Sequence, residues 1–119
     1  MLHKDDAEHA IPETLRRTFR QIANALVEGD YRLTEHPVDG VRPVDADTAR
    51  WIADSVSAYG EKLAPLNEET WKRSVYRWID SHWIALVDLT TVSEAVSDLA
   101  LHAKLYEGGD VEVYGVYVP

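Results

Sequence analysis

The chain has 119 residues, of which 45% are apolar, so it can form one domain with its own hydrophobic core. It contains no cysteine, which excludes disulfides, thiolate zinc sites and cysteine nucleophiles and is typical of a reducing compartment. The 21 acidic residues outnumber the 12 basic ones, and the formal net charge of −9 argues against nucleic acid and anionic membranes as partners, because either would need clustered Lys and Arg.

A polar arm and a helix are predicted at the N-terminal end. Residues 1–10 are mostly charged and show no hydrophobic period, so we expect a flexible arm there and a single α+β domain over residues 11–119. Pro12 suits a first helical turn, apolar residues then recur at helical spacing, and Gly29 is a typical helix stop. The pattern therefore predicts a helix near residues 12–28.

An acidic loop and a second helix follow. Prolines and a glycine interrupt any regular period over residues 34–46. Asp45 or Asp47 can cap a helix over residues 46–59, which Gly60 would end. The acidic residues that we expect to contact a basic partner are Glu35, Asp39, Asp45 and Asp47.

From Trp71 onward the hydrophobic period changes from 3.6 to 2, which indicates strands. Strands are expected over residues 71–79, 99–105 and 111–118, and the segment 83–90 is apolar on both faces, as a central strand would be. The sequence therefore predicts an α+β fold in which two N-terminal helices pack on one face of a mostly antiparallel, four-stranded meander sheet.

The histidines show no metal-binding spacing. His82 and His102 could meet across neighbouring strands and bind a metal with Asp88 or Asp98. Their places beside a turn and on the polar face of a strand also explain them without a metal. We therefore expect neither a bound metal nor a cofactor.

Asp88 lies within the predicted central strand, where a carboxylate needs hydrogen-bond partners. It could cap the following turn or pair with Arg73 or Arg77 of the neighbouring strand. Paired carboxylates could instead perform acid–base chemistry or bind Mg²⁺. A small enzyme or ligand-binding protein is therefore the alternative function, and it would use Asp88, Asp98 and His102.

Four tryptophans in a chain of this length are its most unusual feature. Trp71 and Trp78 have opposite parity within the strand predicted for them, so both cannot face the helices if that strand is regular. We expect Trp78, together with Tyr76, to lie on the open face of the sheet. Exposed aromatic side chains beside Arg and Lys are typical of binding surfaces, although Trp78 could instead be covered by the N-terminal arm or by a loop.

Several stretches resemble a family of small uncharacterised bacterial proteins. They are residues 23–31 (ANALVEGDY), 83–90 (WIALVDLT), 97–101 (SDLAL) and 116–119 (VYVP). The similarity covers nearly the whole chain after residue 10, and it implies a single domain with no established activity. In size, acidity and lack of a catalytic signature, the chain is also similar in kind to the immunity proteins of bacterial toxin systems.

The acidity and the lack of a catalytic motif favour a non-catalytic protein-binding module, in its sharpest form an immunity protein that binds and neutralises a bacterial toxin. A toxin nuclease is basic because it must hold phosphates, so an acidic partner gains steering and complementarity. An acidic secretion chaperone is a related alternative. No apolar run approaches the ~20 residues of a membrane helix, and the first residues lack a signal-peptide pattern, so we expect a cytoplasmic location. The candidate partner-binding residues are Glu35, Asp39, Asp45, Asp47, Tyr76 and Trp78.

Overall fold

A computed structural model describes residues 2–119. Helix α1 spans Glu13–Val27, α2 spans Ala46–Tyr59, and a 3₁₀ helix spans Glu68–Lys72. The strands are β1 (His9–Ala10), β2 (Leu63–Ala64), β3 (Val75–Ile79), β4 (His82–Asp88), β5 (Thr90–Thr91), β6 (Ala100–Leu105) and β7 (Val111–Tyr117). Five of them form an antiparallel sheet in the order β1-β3-β4-β6-β7, and β2 pairs with β5 separately. None of the helices within residues 2–119 combines the length and the apolar character that crossing a membrane requires.

The predicted four-stranded sheet with two N-terminal helices is wrong, although the α+β class and the antiparallel pairing are confirmed. The sheet has five strands, because β1 precedes α1 and pairs with β3, with His9 opposite Tyr76. The helices are also not both N-terminal, since α2 begins only at Ala46. A two-residue strand carries no hydrophobic period of its own. It forms because the edge of β3 offers hydrogen-bond partners to its backbone.

The strand predicted from residue 71 begins later, at Val75. Trp71 belongs instead to the 3₁₀ helix, whose first turn is capped by the Asn67 side chain accepting a hydrogen bond from the backbone N–H of Glu69 at 2.9 Å. Trp71 and Trp78 therefore do not share a strand, and the expected opposition of their side chains does not apply.

The register of β4 divides the sheet into two faces. Trp83 lies opposite Trp78 and Leu105, and Ala85 lies opposite Tyr76 and Ala103. These side chains pack against a buried cluster that also contains residues of both helices, so this face is the core face. The opposite face, called here the open face, carries Arg77, Ile84, Leu86, Asp88, His102, Lys104, Glu112 and Tyr114.

Asp30 fixes the loop that follows α1. Its side chain is buried and accepts hydrogen bonds from the backbone N–H groups of Thr34, Glu35 and His36 at 3.2, 3.0 and 2.7 Å. Burial alone would raise the pKa of Asp30, but the hydrogen bonds, the strongest of them from the His36 N–H, hold that pKa below its ordinary value. The ionised carboxylate therefore organises the loop that presents Glu35.

We expect Asp30→Ala to lower the free energy of unfolding at pH 7 by about 1.5–3 kcal/mol, because it removes a charged acceptor shared by three backbone donors. The pKa of Asp30 is lower in the folded than in the unfolded chain, so its contribution is present above the ordinary value of 3.8 and is lost as the pH falls below it. Urea unfolding at pH 7 and at a series of pH values below 4 measures both effects.

The matched control is Asp39→Ala, which removes an exposed carboxylate from the same loop. We expect it to change the free energy of unfolding by less than about 0.5 kcal/mol. Equal losses in the two variants, or a loss in Asp30→Ala that does not shrink in acid, would contradict the role assigned to Asp30.

Candidate functional site

A row of aromatic rings leads from α2 to the open face of the sheet. The ring of Trp51 stacks on Tyr117 with 6.2 Å between centroids. Tyr117 in turn stacks on His102 at 3.7 Å, with only 7° between the ring planes. Tyr114 meets His102 edge-on at 5.9 Å. We call Trp51, Tyr117, His102 and Tyr114 the aromatic row.

Two irregular features of β7 make room for the row. The pairing of β6 with β7 shifts between His102, which lies opposite Gly115, and Ala103, which lies opposite Val113. This bulge leaves Tyr114 as the extra residue of β7. A side chain at Gly115 would displace the Tyr117 ring, because a Cβ atom there would lie 2.7 Å from Cε1 of Tyr117. Both tyrosines can therefore reach the same imidazole.

His102 acts in the row as a neutral packing ring. It is 3% exposed, and burial lowers its pKa below the ordinary value, although the Tyr117 carbonyl at 3.4 Å from Nε2 pulls the pKa in the opposite direction. A buried, neutral imidazole between two tyrosine rings is poorly placed to exchange protons with a substrate. It is well placed to hold Tyr117.

The exposed end of the row is acidic. Trp51 is 61% exposed, and Val118 beside Tyr117 is 54% exposed. Asp47 and Asp54 precede and follow Trp51 by four and three residues on α2, so all three occupy one face of the helix, and both carboxylates are exposed. A large aromatic side chain thus stands in water on the same helix face as two carboxylates, of which Asp47 is paired with the exposed Arg50 at 4.0 Å.

A shallow cleft of about 310 Å³ adjoins this end of the row. Ala58 of α2, Leu99 and Val118 contribute to its lining, together with Tyr59 and Tyr117. Its volume lies at the lower limit of the range that is typical of small-molecule pockets. Its lining is mainly apolar.

The four predicted acidic contacts are all exposed, but they do not share one role. Asp45 caps α2, because its carboxylate accepts hydrogen bonds from the backbone N–H of Thr48 at 2.8 Å and from its hydroxyl at 3.0 Å, and these bonds lower the pKa of Asp45. Asp47 stands beside Trp51 on the helix. Glu35 and Asp39 belong to the loop before α2. Whether these residues bind a partner stays a prediction.

The expected exposure of Tyr76 and Trp78 on the open face is wrong. Both point to the core face, where Tyr76 is only 2% exposed and its hydroxyl accepts a hydrogen bond from the backbone N–H of His3. Trp78 is half-buried, with its ring edge-on to Trp83 at 4.8 Å and the Lys4 ammonium 5.0 Å above it. The N-terminal arm covers the aromatic side chains that were expected to be free.

Trp51 is the exposed tryptophan that the sequence prediction did not select. The buried Ile52 and the half-buried Val56 and Tyr59 recur at helical spacing on α2, and Trp51 falls outside the apolar stripe that they form. The position of Trp51 outside this stripe could therefore have identified it as exposed from the sequence alone. The stack of Trp51 on Tyr117 could not be predicted in this way, because the two residues are distant in the sequence.

The structure does not assemble the alternative catalytic set. Asp88 pairs with Arg73, one of its two expected partners, at 3.3 Å between Oδ2 and Nε. Asp98 lies before β6, where its backbone N–H donates to the Tyr59 hydroxyl. Within residues 2–119, the three His, Asp or Glu side chains whose ligand atoms lie within 4.8 Å of one another come instead from the arm: His3, Asp5 and His9.

A family model described as "Domain of unknown function (DUF7668)" matches residues 23–119. No curated protein and no solved structure matches the chain significantly. The matched segment contains the whole aromatic row, whereas the cluster of His3, Asp5 and His9 precedes it.

We expect Ser74→Ala to destabilise the fold more than Asp88→Ala. The buried Ser74 hydroxyl donates to the Thr70 carbonyl at 2.7 Å and accepts from the Asp88 backbone N–H at 3.1 Å, so its removal leaves a buried donor unpaired and costs about 1–3 kcal/mol. Asp88→Ala removes an ion pair to a largely exposed Arg73, worth at most about 1 kcal/mol. Urea unfolding of both variants measures the difference.

The two variants also test the catalytic alternative. An Asp88→Ala protein that keeps its stability and loses a measurable activity would favour an enzyme. Equal losses in the free energy of unfolding would instead show that the Asp88 side chain stabilises the fold by more than its ion pair with Arg73 accounts for.

Proposed function

This chain belongs to the family described as Domain of unknown function (DUF7668), and we propose that it is a non-catalytic module that binds a basic protein. The observation that carries the proposal is the exposed Trp51, which lies between Asp47 and Asp54 on α2 and stacks on Tyr117. Tryptophan is among the residues that contribute most to protein interfaces, and an aromatic ring left in water gains from being covered.

The charge favours a basic partner. The net charge of −9 attracts a positively charged surface over distances up to about one Debye length. Asp47 and Asp54 place two of the carboxylates beside Trp51. Glu35 and Asp39 in the preceding loop add to the same attraction. Electrostatics of this kind mainly increase the association rate and select the partner, whereas the buried anchor sets the dissociation rate.

The row supports an anchor that is ordered before binding. Tyr117 is held between His102 and Trp51 by stacking on both sides. A side chain that is already fixed loses little conformational entropy on association, so more of its contact energy appears as affinity. The apolar cleft beside Val118 offers a second contact for the partner.

In its sharpest form the proposal is an immunity protein that neutralises a bacterial toxin in the cytoplasm. A toxin that acts on nucleic acid needs a basic surface to hold phosphates, and an acidic protein with an aromatic anchor can cover such a surface. A secretion chaperone would also bind a protein through this site. The two are distinguished by whether binding abolishes an activity of the partner.

We expect Trp51→Ala to weaken partner binding by about thirtyfold or more, mainly through faster dissociation, because it removes the anchor. The double variant Asp47→Asn/Asp54→Asn should slow association and flatten its dependence on salt. Glu28→Gln, which neutralises an exposed carboxylate at the end of α1, is the matched control and should change neither rate by more than about twofold. Binding kinetics at two salt concentrations measure all three.

The partner for these measurements is the protein captured from the producing cells by the wild-type chain and not by the triple variant Trp51→Ala/Asp47→Asn/Asp54→Asn. Unfolding of each variant is measured first, so that a loss of binding is not a loss of fold. An acidic partner, or an affinity indifferent to salt, would contradict the electrostatic part of the proposal. Unchanged dissociation from Trp51→Ala would contradict the surface.

A further inference from the structure

The first residues of the arm are attached to the core face of the sheet. The indole N–H of Trp83 donates to the His3 carbonyl at 2.8 Å, and the His3 backbone N–H donates to the Tyr76 hydroxyl at 2.9 Å. At the other end of this segment, His9 pairs with Tyr76 in β1, and its ring lies 5.4 Å from the Tyr76 ring. Both ends of residues 3–9 are thus fixed to neighbouring aromatic residues.

This attachment brings three metal-binding side chains together. The imidazoles of His3 and His9 stack with 4.3 Å between centroids, and Oδ1 of Asp5 lies 2.7 Å from Nε2 of His9. The hydrogen bond to His9, and after it one from the Ala7 backbone N–H, lower the pKa of Asp5, so its carboxylate is ionised and oriented. The potential ligand atoms of the three side chains all lie within 4.8 Å of one another.

Contrary to the sequence-based expectation of no bound metal, we propose that His3, Asp5 and His9 bind one divalent transition-metal ion of the zinc, nickel or copper class. Two imidazole nitrogens and one carboxylate oxygen form the donor set that these borderline ions prefer, and three protein ligands leave a position for water or a partner's side chain. Magnesium and calcium favour oxygen ligands alone, so this set selects against them.

The geometry needs only a local adjustment to hold the ion. Ligand atoms around a tetrahedral ion at the usual bond lengths lie about 3.3 Å apart. The two rings must rotate out of their stack, and the hydrogen bond between His9 and Asp5 must open. His3 and Asp5 are exposed, so their side chains can move without disturbing the core, while the bonds from Trp83 and Tyr76 keep the His3 backbone in place.

The ion would cross-link residues 3, 5 and 9 of the arm at the edge of β3. It would close residues 3–9 into a loop around the metal and so order the segment next to Lys4 and Trp78. This cluster precedes residues 23–119, which the family model matches. The site is therefore independent of the aromatic row and of the function proposed for it.

We expect the untagged full chain, stripped with a chelator, to bind one equivalent of Zn²⁺ in calorimetric titration and to give a visible absorption spectrum with Co²⁺. His3→Gln, Asp5→Asn and His9→Gln should each reduce the Zn²⁺ affinity by more than about tenfold, since even residues that only orient a ligand have effects of this size. His82→Gln is the matched control, because it removes a histidine at the first position of β4, outside the cluster, and should leave the affinity unchanged. Mg²⁺ at the same concentration should give no saturable signal.

A second measurement distinguishes the loss of a metal ligand from a general disruption of the arm. Zn²⁺ should slow tryptic cleavage after Lys4 in the wild-type chain and not in His3→Gln, whose backbone bonds to Trp83 and Tyr76 remain possible. The proposal is overturned by substoichiometric Zn²⁺ binding, by equal affinities of the wild-type chain and the His3→Gln/His9→Gln double variant, or by a loss of affinity in His82→Gln. Equal binding of Mg²⁺ would likewise replace it with a nonselective carboxylate site.

Discussion

The pairing of β4 with β3 on one side and with β6 on the other decides which residues face the core and which face outward. Because side chains alternate along a strand, this register sends Trp83, Ala85 and Val87 into the cluster beneath the helices. It also puts Leu86 opposite His102 on the open face. A slip of one residue would exchange the two faces, so the aromatic row depends on this register as much as the core does.

Local signals made part of this fold predictable. The helix over residues 46–59 has its cap at Asp45 and ends at Gly60 in the left-handed conformation, and both signals are visible in the sequence. The change of period likewise predicted strands β3, β4, β6 and β7. Strand β1 depends on an edge far along the chain, and the 3₁₀ helix around Trp71 depends on a cap that the alternating pattern obscured. The predicted sheet was therefore one strand short and began too early.

The candidate sites were harder to predict than the fold because they join distant segments. Trp51 could be identified as exposed from its place outside the buried stripe of α2, but its stack on Tyr117 requires the end of β7 to lie beside that helix. His3 and His9 looked isolated in the sequence. They meet because Tyr76 and Trp83 fix the arm between them, and a prediction that treated the arm as free had no reason to pair them.

The negative charge of the chain does not by itself define a binding surface, since several carboxylates have structural roles. Asp30 accepts three backbone hydrogen bonds, Asp45 caps α2, and Asp88 pairs with Arg73. The proposed binding surface is therefore defined by two independent features, an exposed aromatic ring and carboxylates on the same helix face. Asp54 is the most informative of these, because it lies beyond the first turn of α2, where a negative charge does not stabilise the helix dipole.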